Sequence, residues 1–264
     1  MYDTKYHKPA SAADAVALLS EAEDAKILSG GQTLLPTMKQ HLAAPTDLVD
    51  VRGIDNMTGV CMDGDTVVIG AATTHADVAT NADVRTHIPG LAALAGGIGD
   101  PAVRAMGTIG GSVANNDPAA DYPSAVLALG ATVVTNTRQI AAEDFFDGMF
   151  STALEDGEII IALRFPKPGR AAYAKFPNPA SRYAMVGVFV AETGGAARVA
   201  VTGAGADGVF RHAGLEAALS ADFSEGAVDG VTVDADGLQS DIHATADYRA
   251  NLIRVMAKRA VAAA

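Results

Sequence analysis

Two glycine pairs, each flanked by hydroxyl or amide side chains, constrain most strongly what this chain can fold into. The first pair lies in residues 29–33, directly after a short apolar run, and the second lies in residues 108–112. Glycine pairs let the backbone approach a ligand closely and adopt positive φ, so that successive N–H groups can converge on an anion. The pattern therefore predicts two loops that hold one diphosphate from two sides.

Polar side chains near the two pairs add possible contacts to such a ligand. Three hydroxyl groups can donate to diphosphate oxygens: those of Thr33, Thr108 and Ser112. Asn115 and Asp117 belong to the polar series that follows the second pair, and the carboxylate of Asp121 can accept from a ribose or ribityl hydroxyl. An isolated glycine pair is usually only a turn, but here residues 34–36 supply an apolar anchor for the first loop. The combination indicates a nucleotide cofactor longer than a mononucleotide.

Composition excludes several classes of function. A net charge of −12 argues against nucleic acid as a partner, because phosphate backbones need a basic surface. The single cysteine, Cys61, excludes an intrachain disulfide and any iron–sulfur cluster or zinc site built from several thiolates. The six histidines show no metal-ligand spacing, so we expect no metal site. No apolar run is long enough to span a bilayer and no export signal is visible, so we expect a cytoplasmic protein.

Strand and helix signals are mixed without regular βαβ alternation, which favours an α+β fold over a doubly wound sheet. Helices are predicted over residues 11–23, with Ser11 as N-cap, and over 75–80, 90–98, 124–129, 215–219 and 246–263. Strands are predicted over residues 25–28, 48–51, 66–69, 132–134, 158–165, 184–190, 198–202 and 230–233. Proline and glycine at residues 166–169 mark the best candidate for a domain boundary.

Residues 203–208 match the G-x-G-x-x-G pattern of a dinucleotide-binding turn and follow a predicted strand. Such a site needs further βαβ units around it, and fewer than about 60 residues remain after this point. We therefore interpret residues 203–208 as a loop. His75 is interpreted as a residue that caps or packs a helix rather than one that does chemistry.

Several segments resemble the FAD-binding medium subunit of the molybdenum hydroxylases, a family that includes carbon monoxide dehydrogenase and xanthine dehydrogenase. The strongest are SGGQTLLP with Met38-Lys39, at residues 29–36, and TIGGS followed by NDPAADYP, at residues 108–123. Others are GAATTH at residues 70–75, GEIIIALRFP at 157–166 and the stretch from Lys175-Phe176 to Met185. The resemblance covers nearly the whole chain.

The resemblance implies a two-subdomain FAD-binding domain of the PCMH type in residues 1–168. A small C-terminal domain with an antiparallel sheet and helices is expected in residues 171–264. The implied cofactor is FAD, lying between the two subdomains. By position, the residues implied to hold its diphosphate are Leu28, Ser29, Gly30, Gly31, Gln32, Thr33, Leu34 and Leu35, with Thr108, Ile109, Gly110, Gly111 and Ser112. Asp121 matches an acid that contacts FAD, Ile98 an apolar position near the flavin ring, and Ile160 and Lys175 positions near the adenine or flavin.

The family also implies partners and a division of labour. A large subunit carries the molybdenum cofactor, a small subunit carries two [2Fe–2S] clusters, and the whole is expected to be a dimer of heterotrimers. This chain would collect electrons on FAD and pass them to an external acceptor such as NAD, a quinone or oxygen, with no catalytic residue of its own. Two alternatives stay open: a self-contained FAD-dependent reductase of the same fold, and a flavin-free assembly protein.

Overall fold

The computed structural model describes residues 2–264, which form three β-sheets with helices packed between and around them. The strands are β1 (Lys5–His7), β2 (Ala25–Leu28), β3 (Asp47–Asp50), β4 (Val60–Asp63), β5 (Thr66–Gly70), β6 (Thr132–Thr135), β7 (Gln139–Ala141), β8 (Ile160–Pro166), β9 (Arg170–Pro177), β10 (Ala184–Thr193), β11 (Ala196–Thr202) and β12 (Phe210–Arg211). The helices are α1 (Ala12–Glu21), α2 (Leu34–Lys39), α3 (His75–Thr80), α4 (Ala82–His87), α5 (Pro89–Gly96), α6 (Pro101–Met106), α7 (Ile109–Asn115), α8 (Tyr122–Ala128), α9 (Ala213–Ala221), α10 (Glu225–Asp229) and α11 (Ala246–Ala263). A single 3-10 turn covers Ala142–Asp144.

The N-terminal sheet has three parallel strands in the order β1-β3-β2. Helix α1 joins β1 to β2, and it begins where the hydroxyl of Ser11 accepts a hydrogen bond from the N–H of Asp14. This is the helix N-cap that the sequence predicts. Strand β2 ends at Leu28, so the first glycine pair follows it immediately and α2 begins a few residues later.

The second sheet has five antiparallel strands in the order β4-β5-β8-β6-β7. Its core contains Val67, Val133, Leu163 and Phe165, which are all fully buried. Between β5 and β6 the chain leaves the sheet to form the six helices α3–α8. The second glycine pair lies in this helical insertion, and tertiary packing therefore brings it to the first pair.

The third sheet is antiparallel, in the order β12-β11-β10-β9, and its central strand β10 is buried on both faces. Because side chains alternate along a strand, Val186, Val188 and Val190 pack against α9, α10 and α11. On the other face, Phe189 and Ala191 join the core formed by the N-terminal part of the chain. The sheet is thus a middle layer between the C-terminal helices and the rest of the protein.

The α+β fold is confirmed, and nearly every predicted element is present within a few residues of its expected bounds. The strand predicted over residues 230–233 is wrong. Val231 and Val233 pack against the cluster around α9–α11, but this segment has no strand pairing and is irregular. Its alternating apolar pattern reflects burial of one side without a neighbouring strand.

The interpretation of residues 203–208 as a loop is confirmed. They form a turn between β11 and β12, and the sheet that contains these strands has only antiparallel pairs. A βαβ dinucleotide site is therefore excluded there. No helix in residues 2–264 combines the length and the apolar character needed to cross a membrane.

The predicted boundary at residues 166–169 lies between β8 and β9, where the chain passes from the five-stranded to the four-stranded sheet. The two parts nevertheless share a core, since Ala171 and Phe189 belong to the same buried cluster as Leu163. The division into residues 1–168 and 171–264 stays a prediction.

Candidate functional site

A cleft of about 700 Å³ opens where the first glycine loop, the start of α7 and the loop after β9 meet. Its volume lies in the range typical of cofactor and small-molecule sites. Among the predicted site residues, the following line it: Ser29, Gly30, Gly31, Gln32, Thr33, Leu34, Ile98, Thr108, Gly111, Ser112, Asn115, Asp117 and Asp121. The structure thus brings together residues that are far apart in the sequence.

The first glycine loop presents a run of unpaired backbone donors to this cleft. Within the described residues 2–264, no N–H group from Gly30 to Leu34 donates to a protein acceptor. Gly31 has a φ of +67°, a conformation that residues with a side chain rarely adopt. Such a run of free N–H groups is suited to bind an anion. The unpaired N–H groups of this loop therefore give a physical basis for the prediction that it holds a diphosphate.

The second glycine segment has a different structure from the expected loop, because it is the first turn of helix α7. Thr108 is the N-cap, and its hydroxyl accepts from the N–H of Gly111. All four following amides already have acceptors in the chain: Ile109 N–H donates to Thr73 O (3.1 Å), Gly110 N–H to Ala71 O (2.8 Å), Gly111 N–H to Thr108 Oγ1 (3.2 Å) and Ser112 N–H to Thr108 O (3.0 Å). This segment therefore offers hydroxyl groups rather than a row of free amides.

The two segments are in direct contact at the floor of the cleft. The hydroxyl oxygens of Ser29 and Thr108 are 2.8 Å apart and share a hydrogen bond. A Cβ atom on Gly30 would lie 2.5 Å from the carbonyl oxygen of Met106 and 2.6 Å from the Cα of Gly107. Glycine at position 30 is therefore required for this close approach of two backbones rather than for positive φ.

Asp121 forms the buried polar wall of the cleft. Its carboxylate accepts a hydrogen bond from the Tyr173 hydroxyl at 2.5 Å and forms an ion pair with Lys175 at 3.0 Å. Burial raises the pKa of the carboxyl above its usual range, against the charge of Lys175 and the bond from Tyr173, which lower it. Both donors lie on β9, so the C-terminal sheet supports this wall through Asp121.

Six predicted site residues lie outside the cleft lining: Leu28, Leu35, Ile109, Gly110, Ile160 and Lys175. Leu28 and Leu35 pack together beneath the first loop. Gly110 and Ile109 are buried, and a Cβ on Gly110 would overlap Ala71. Ile160 belongs to the core of the five-stranded sheet, and Lys175 reaches the wall only through Asp121 and the carbonyl of Gly97. Their predicted contacts with the cofactor stay predictions, and the structure gives them supporting positions.

The structure adds lining residues that the sequence did not single out for the cofactor. Lys26 and Arg182 bring positive charge, and Tyr183 stands beside Arg182 at the edge. Arg182 has a φ of +64°, and its guanidinium donates across the cleft to the carbonyl of Gly99 at 3.2 Å. The RYAM segment marks the start of the C-terminal part in sequence, but nothing local indicates that its loop folds back over the N-terminal part.

His75 also lines the cleft, as the first residue of α3. Its ring is buried against Tyr122, and its Nδ1 has no hydrogen-bond partner in the described chain. Burial, with a smaller effect from the charge of Arg104, lowers the pKa of His75 to about 4. The imidazole is therefore neutral at physiological pH, in agreement with a packing residue rather than an acid–base group.

The chemistry of this donor set fits an elongated cofactor with an anionic centre. Free amides and paired hydroxyls suit phosphate oxygens, the buried carboxylate suits a sugar or ribityl hydroxyl, and Ile98 with Val103 supplies an apolar surface. Among residues 2–264, no group of three or more His, Cys, Asp or Glu side chains is placed to hold a metal ion. Fold and cleft together define a protein that binds a diphosphate-containing organic cofactor.

Comparisons with known proteins identify the family to which this cofactor-binding protein belongs. Residues 2–168 match the family described as the FAD binding domain in molybdopterin dehydrogenase. The chain is 36% identical to the carbon monoxide dehydrogenase medium chain of Afipia carboxidovorans, over 97% of this chain and 94% of that protein. It is 33% identical to the nicotine 6-hydroxylase medium subunit of Paenarthrobacter nicotinovorans, over 97% and 95%. The chain belongs to the family of FAD-binding medium subunits of molybdenum hydroxylases, and it is an oxidoreductase subunit.

Solved structures agree with this assignment. A chain of the cyanide-inactivated form of Cu,Mo-CO dehydrogenase superposes with a TM-score of 0.91 at 35% identity, covering 98% of this chain and 96% of that one. A chain of quinoline 2-oxidoreductase from Pseudomonas putida 86 gives a TM-score of 0.88 at 28% identity, covering 99% and 96%. The predicted family and the predicted cofactor, FAD, are confirmed.

Proposed function

We propose that this chain takes electrons from [2Fe–2S] clusters of a small partner subunit and passes them, through FAD, to an external acceptor. A large partner subunit would hold the molybdenum cofactor and carry out the hydroxylation. The proposal is supported by relatives that are named medium chains or medium subunits and that match over nearly the full length. We further expect a dimer of heterotrimers in the cytoplasm.

The chain's own contribution is to bind and orient the cofactor. In this proposal the diphosphate is held by the free N–H groups of residues 30–34 and by the one hydroxyl proton that the Ser29–Thr108 hydrogen bond leaves free. The carboxylate of Asp121 accepts from a ribityl or ribose hydroxyl, and Ile98 lies against the flavin. When bound, FAD supplies the redox chemistry, because it can exchange electrons singly or in pairs. The observation that carries the proposal is the run of unpaired amides on the first loop.

The proposal assigns no acid–base role to the chain. His75 is neutral at physiological pH, and Asp121 is already bonded to Tyr173 and Lys175. A reductase that acted alone on a small substrate would need a proton donor free to reach that substrate. The groups that line this cleft are instead the kind that position a cofactor.

Co-purification from the native host tests the partners. We expect one large and one small chain to accompany this one, with molybdenum and iron in the complex and absorbance bands near roughly 370 and 450 nm from the flavin. The mass of the intact complex, measured by light scattering, tests the dimer of heterotrimers. Recovery of this chain only as a homo-oligomer that oxidises a nicotinamide would instead indicate the self-contained reductase.

A matched pair of variants tests the first loop. Gly31→Val places a β-branched residue at a φ of +67° in the cleft, whereas Gly64→Val places the same residue at a φ of +58° in the open turn between β4 and β5. Both variants pay a similar backbone strain. We expect only Gly31→Val to lose FAD, measured as the flavin retained per folded complex. Equal flavin in the two variants would refute the assignment of this loop.

A further inference from the structure

The Asp121 carboxylate, which lines the cleft, is bonded to two side chains of strand β9 in the C-terminal sheet. Tyr173 Oη donates to Oδ1 at 2.5 Å. Lys175 Nζ lies between the two oxygens, 3.0 Å from Oδ1 and 3.2 Å from Oδ2, and donates to the carbonyl of Gly97 at 2.9 Å. Alternate residues of β9 thus engage both oxygens of one carboxylate, which fixes the plane of the carboxylate as well as its position.

The neighbouring strand is shaped to admit the Tyr173 side chain. Gly187 on β10 lies beneath the phenol, and a Cβ atom there would overlap the Tyr173 hydroxyl. Phe189, which is the cross-strand partner of Tyr173, stacks near its ring with centroids 6.1 Å apart and an angle of 28°. The phenol is therefore confined to the path that leads to Asp121.

We propose that Tyr173 is a positioning residue that holds the Asp121 carboxylate in a fixed orientation directed into the cleft, so that it can accept a hydrogen bond from FAD. This inference rests on the role proposed for Asp121 in binding the cofactor. Tyr173 itself does not line the cleft and acts only through Asp121. The C-terminal sheet thereby contributes to the affinity of a site most of whose lining residues come before β8.

The charges around Asp121 give the inference a pH signature. The groups that face the carboxylate are Lys175 and Tyr173 on β9, Tyr122 on α8 and Tyr183 on the loop after β9. Burial and the charge of Asp121 keep the pKa of Tyr173 well above 10, so its hydroxyl stays a donor. Removing that donor leaves Lys175 as the remaining side-chain partner, and the pKa of Asp121 rises further because the ionised form loses a hydrogen bond.

A double-mutant cycle tests whether Tyr173 acts through Asp121. FAD is titrated into the flavin-depleted complex of the full chain, for the wild type, Tyr173→Phe, Asp121→Asn and the double variant. We expect Tyr173→Phe to weaken FAD binding by roughly tenfold or more, the usual effect of a lost hydrogen bond to a charged group. The double variant is expected to bind like Asp121→Asn alone, because the Tyr173 hydroxyl then has no carboxylate to hold.

Tyr6→Phe is the matched control. It removes a tyrosine hydroxyl that donates to Asp50 at the same distance, 2.5 Å, in the N-terminal sheet and outside the cleft. We expect no change in FAD affinity from this variant. Effects of Tyr173→Phe and Asp121→Asn that simply add in the double variant would overturn the inference.

The pH profile of FAD binding gives a second measurement that needs no Asp121 variant. Affinity is expected to fall as pH is lowered and the carboxylate takes up a proton, with the midpoint of the fall at higher pH in Tyr173→Phe than in the wild type. Parallel profiles, offset by the same factor at every pH, would mean that Tyr173 only supports packing. A wild-type complex that binds no FAD would instead refute the proposed function.

Discussion

Gly30→Ala tests the contact between the two glycine segments. The added Cβ would lie 2.5 Å from the carbonyl oxygen of Met106, 2.6 Å from the Cα of Gly107 and 3.0 Å from the N of Thr108. All three atoms belong to the backbone, so no side chain can rotate away to relieve the overlap. The first loop must move away from residues 106–108, and the 2.8 Å bond between Ser29 and Thr108 is then lost.

The magnitude follows from these two effects. Overpacking in a tight contact costs about 1–3 kcal/mol, and the lost hydrogen bond costs about 1 kcal/mol. In a protein of this size about 1 kcal/mol corresponds to roughly 2–4 °C in melting temperature. We therefore expect Gly30→Ala to melt roughly 5–15 °C below the wild type.

The effect on FAD is separable from the effect on stability. At a FAD concentration of about 100 times Kd, the wild type gains about 2.7 kcal/mol from the ligand. If the displaced loop weakens binding about 100-fold, the same FAD concentration adds only about 0.4 kcal/mol. Thermal unfolding of the complex with and without added FAD measures both quantities.

Gly53→Ala is the control for this experiment. Gly53 has a φ outside the positive range and no atom within 4 Å of the added Cβ. We expect its melting temperature and its FAD response to match those of the wild type. The steric argument fails if Gly30→Ala behaves like Gly53→Ala in both measurements.

Three further variants test buried polar groups. Burial would raise the pKa of Asp50, but hydrogen bonds from Arg52 and Tyr6 outweigh burial and hold the pKa at about 2. Asp50→Asn should therefore lower the unfolding free energy by up to about 2 kcal/mol at pH 7. This difference from the wild type should disappear as the pH falls from about 4 to 2, because the wild-type carboxylate is then protonated as well. His75 is protonated near pH 6.5 in the unfolded chain but only near pH 4 in the folded chain. The unfolding free energy of the wild type should therefore decrease as the pH is lowered between these values, and that of His75→Gln should decrease less. The NMR shifts of the His75 ring should stay constant from about pH 5.5 to 8. Arg249 is buried and donates to the carbonyls of Met185 and Gly203 and to the exposed Asp241. Because Arg249→Ala leaves the two carbonyls without this donor, it should destabilise the chain by about 2–4 kcal/mol in urea unfolding, with FAD affinity per folded molecule unchanged.

Local signals were sufficient for thirteen of the strands and helices, whereas ten were not predicted: β1, β4, β7, β9, β12, α2, α4, α6, α7 and α10. Helix α1 could be predicted because its N-cap, Ser11, and its apolar spacing both lie within its own sequence. Strand β9 was missed because its residues alternate less clearly and follow a proline–glycine segment. The segment 230–233 shows the opposite error, since its valines are half-buried without strand pairing. An apolar pattern indicates which residues are buried. Whether they form a strand depends on pairing with another strand, which can come from any part of the chain.

The sequence could indicate which residues meet in one cleft, but not which of their backbone donors are free. The two glycine segments have similar sequences, so both were expected to offer free amides. The second cannot, because Ile109 and Gly110 donate to carbonyls of residues 71–73, which approach only in the folded chain. Lys175, which the resemblance places near the adenine or flavin, is bonded to Asp121 and Gly97, and its proximity to the cofactor stays a prediction. Which donors are left unpaired is decided by tertiary packing.

The bonds that close the cleft all join distant parts of the chain. Ser29 and Thr108 are separated by 79 residues, Tyr173 and Asp121 by 52, and Arg182 and Gly99 by 83. No single segment can therefore form the site, even though the free amides lie on one short loop. One of these bonds reaches into the N-terminal part from β9 and another from the loop after it, so we expect a change that loosens the packing of β9 to weaken FAD binding even when the glycine segments are intact. We therefore expect FAD affinity to report on how well the two parts of the chain are docked.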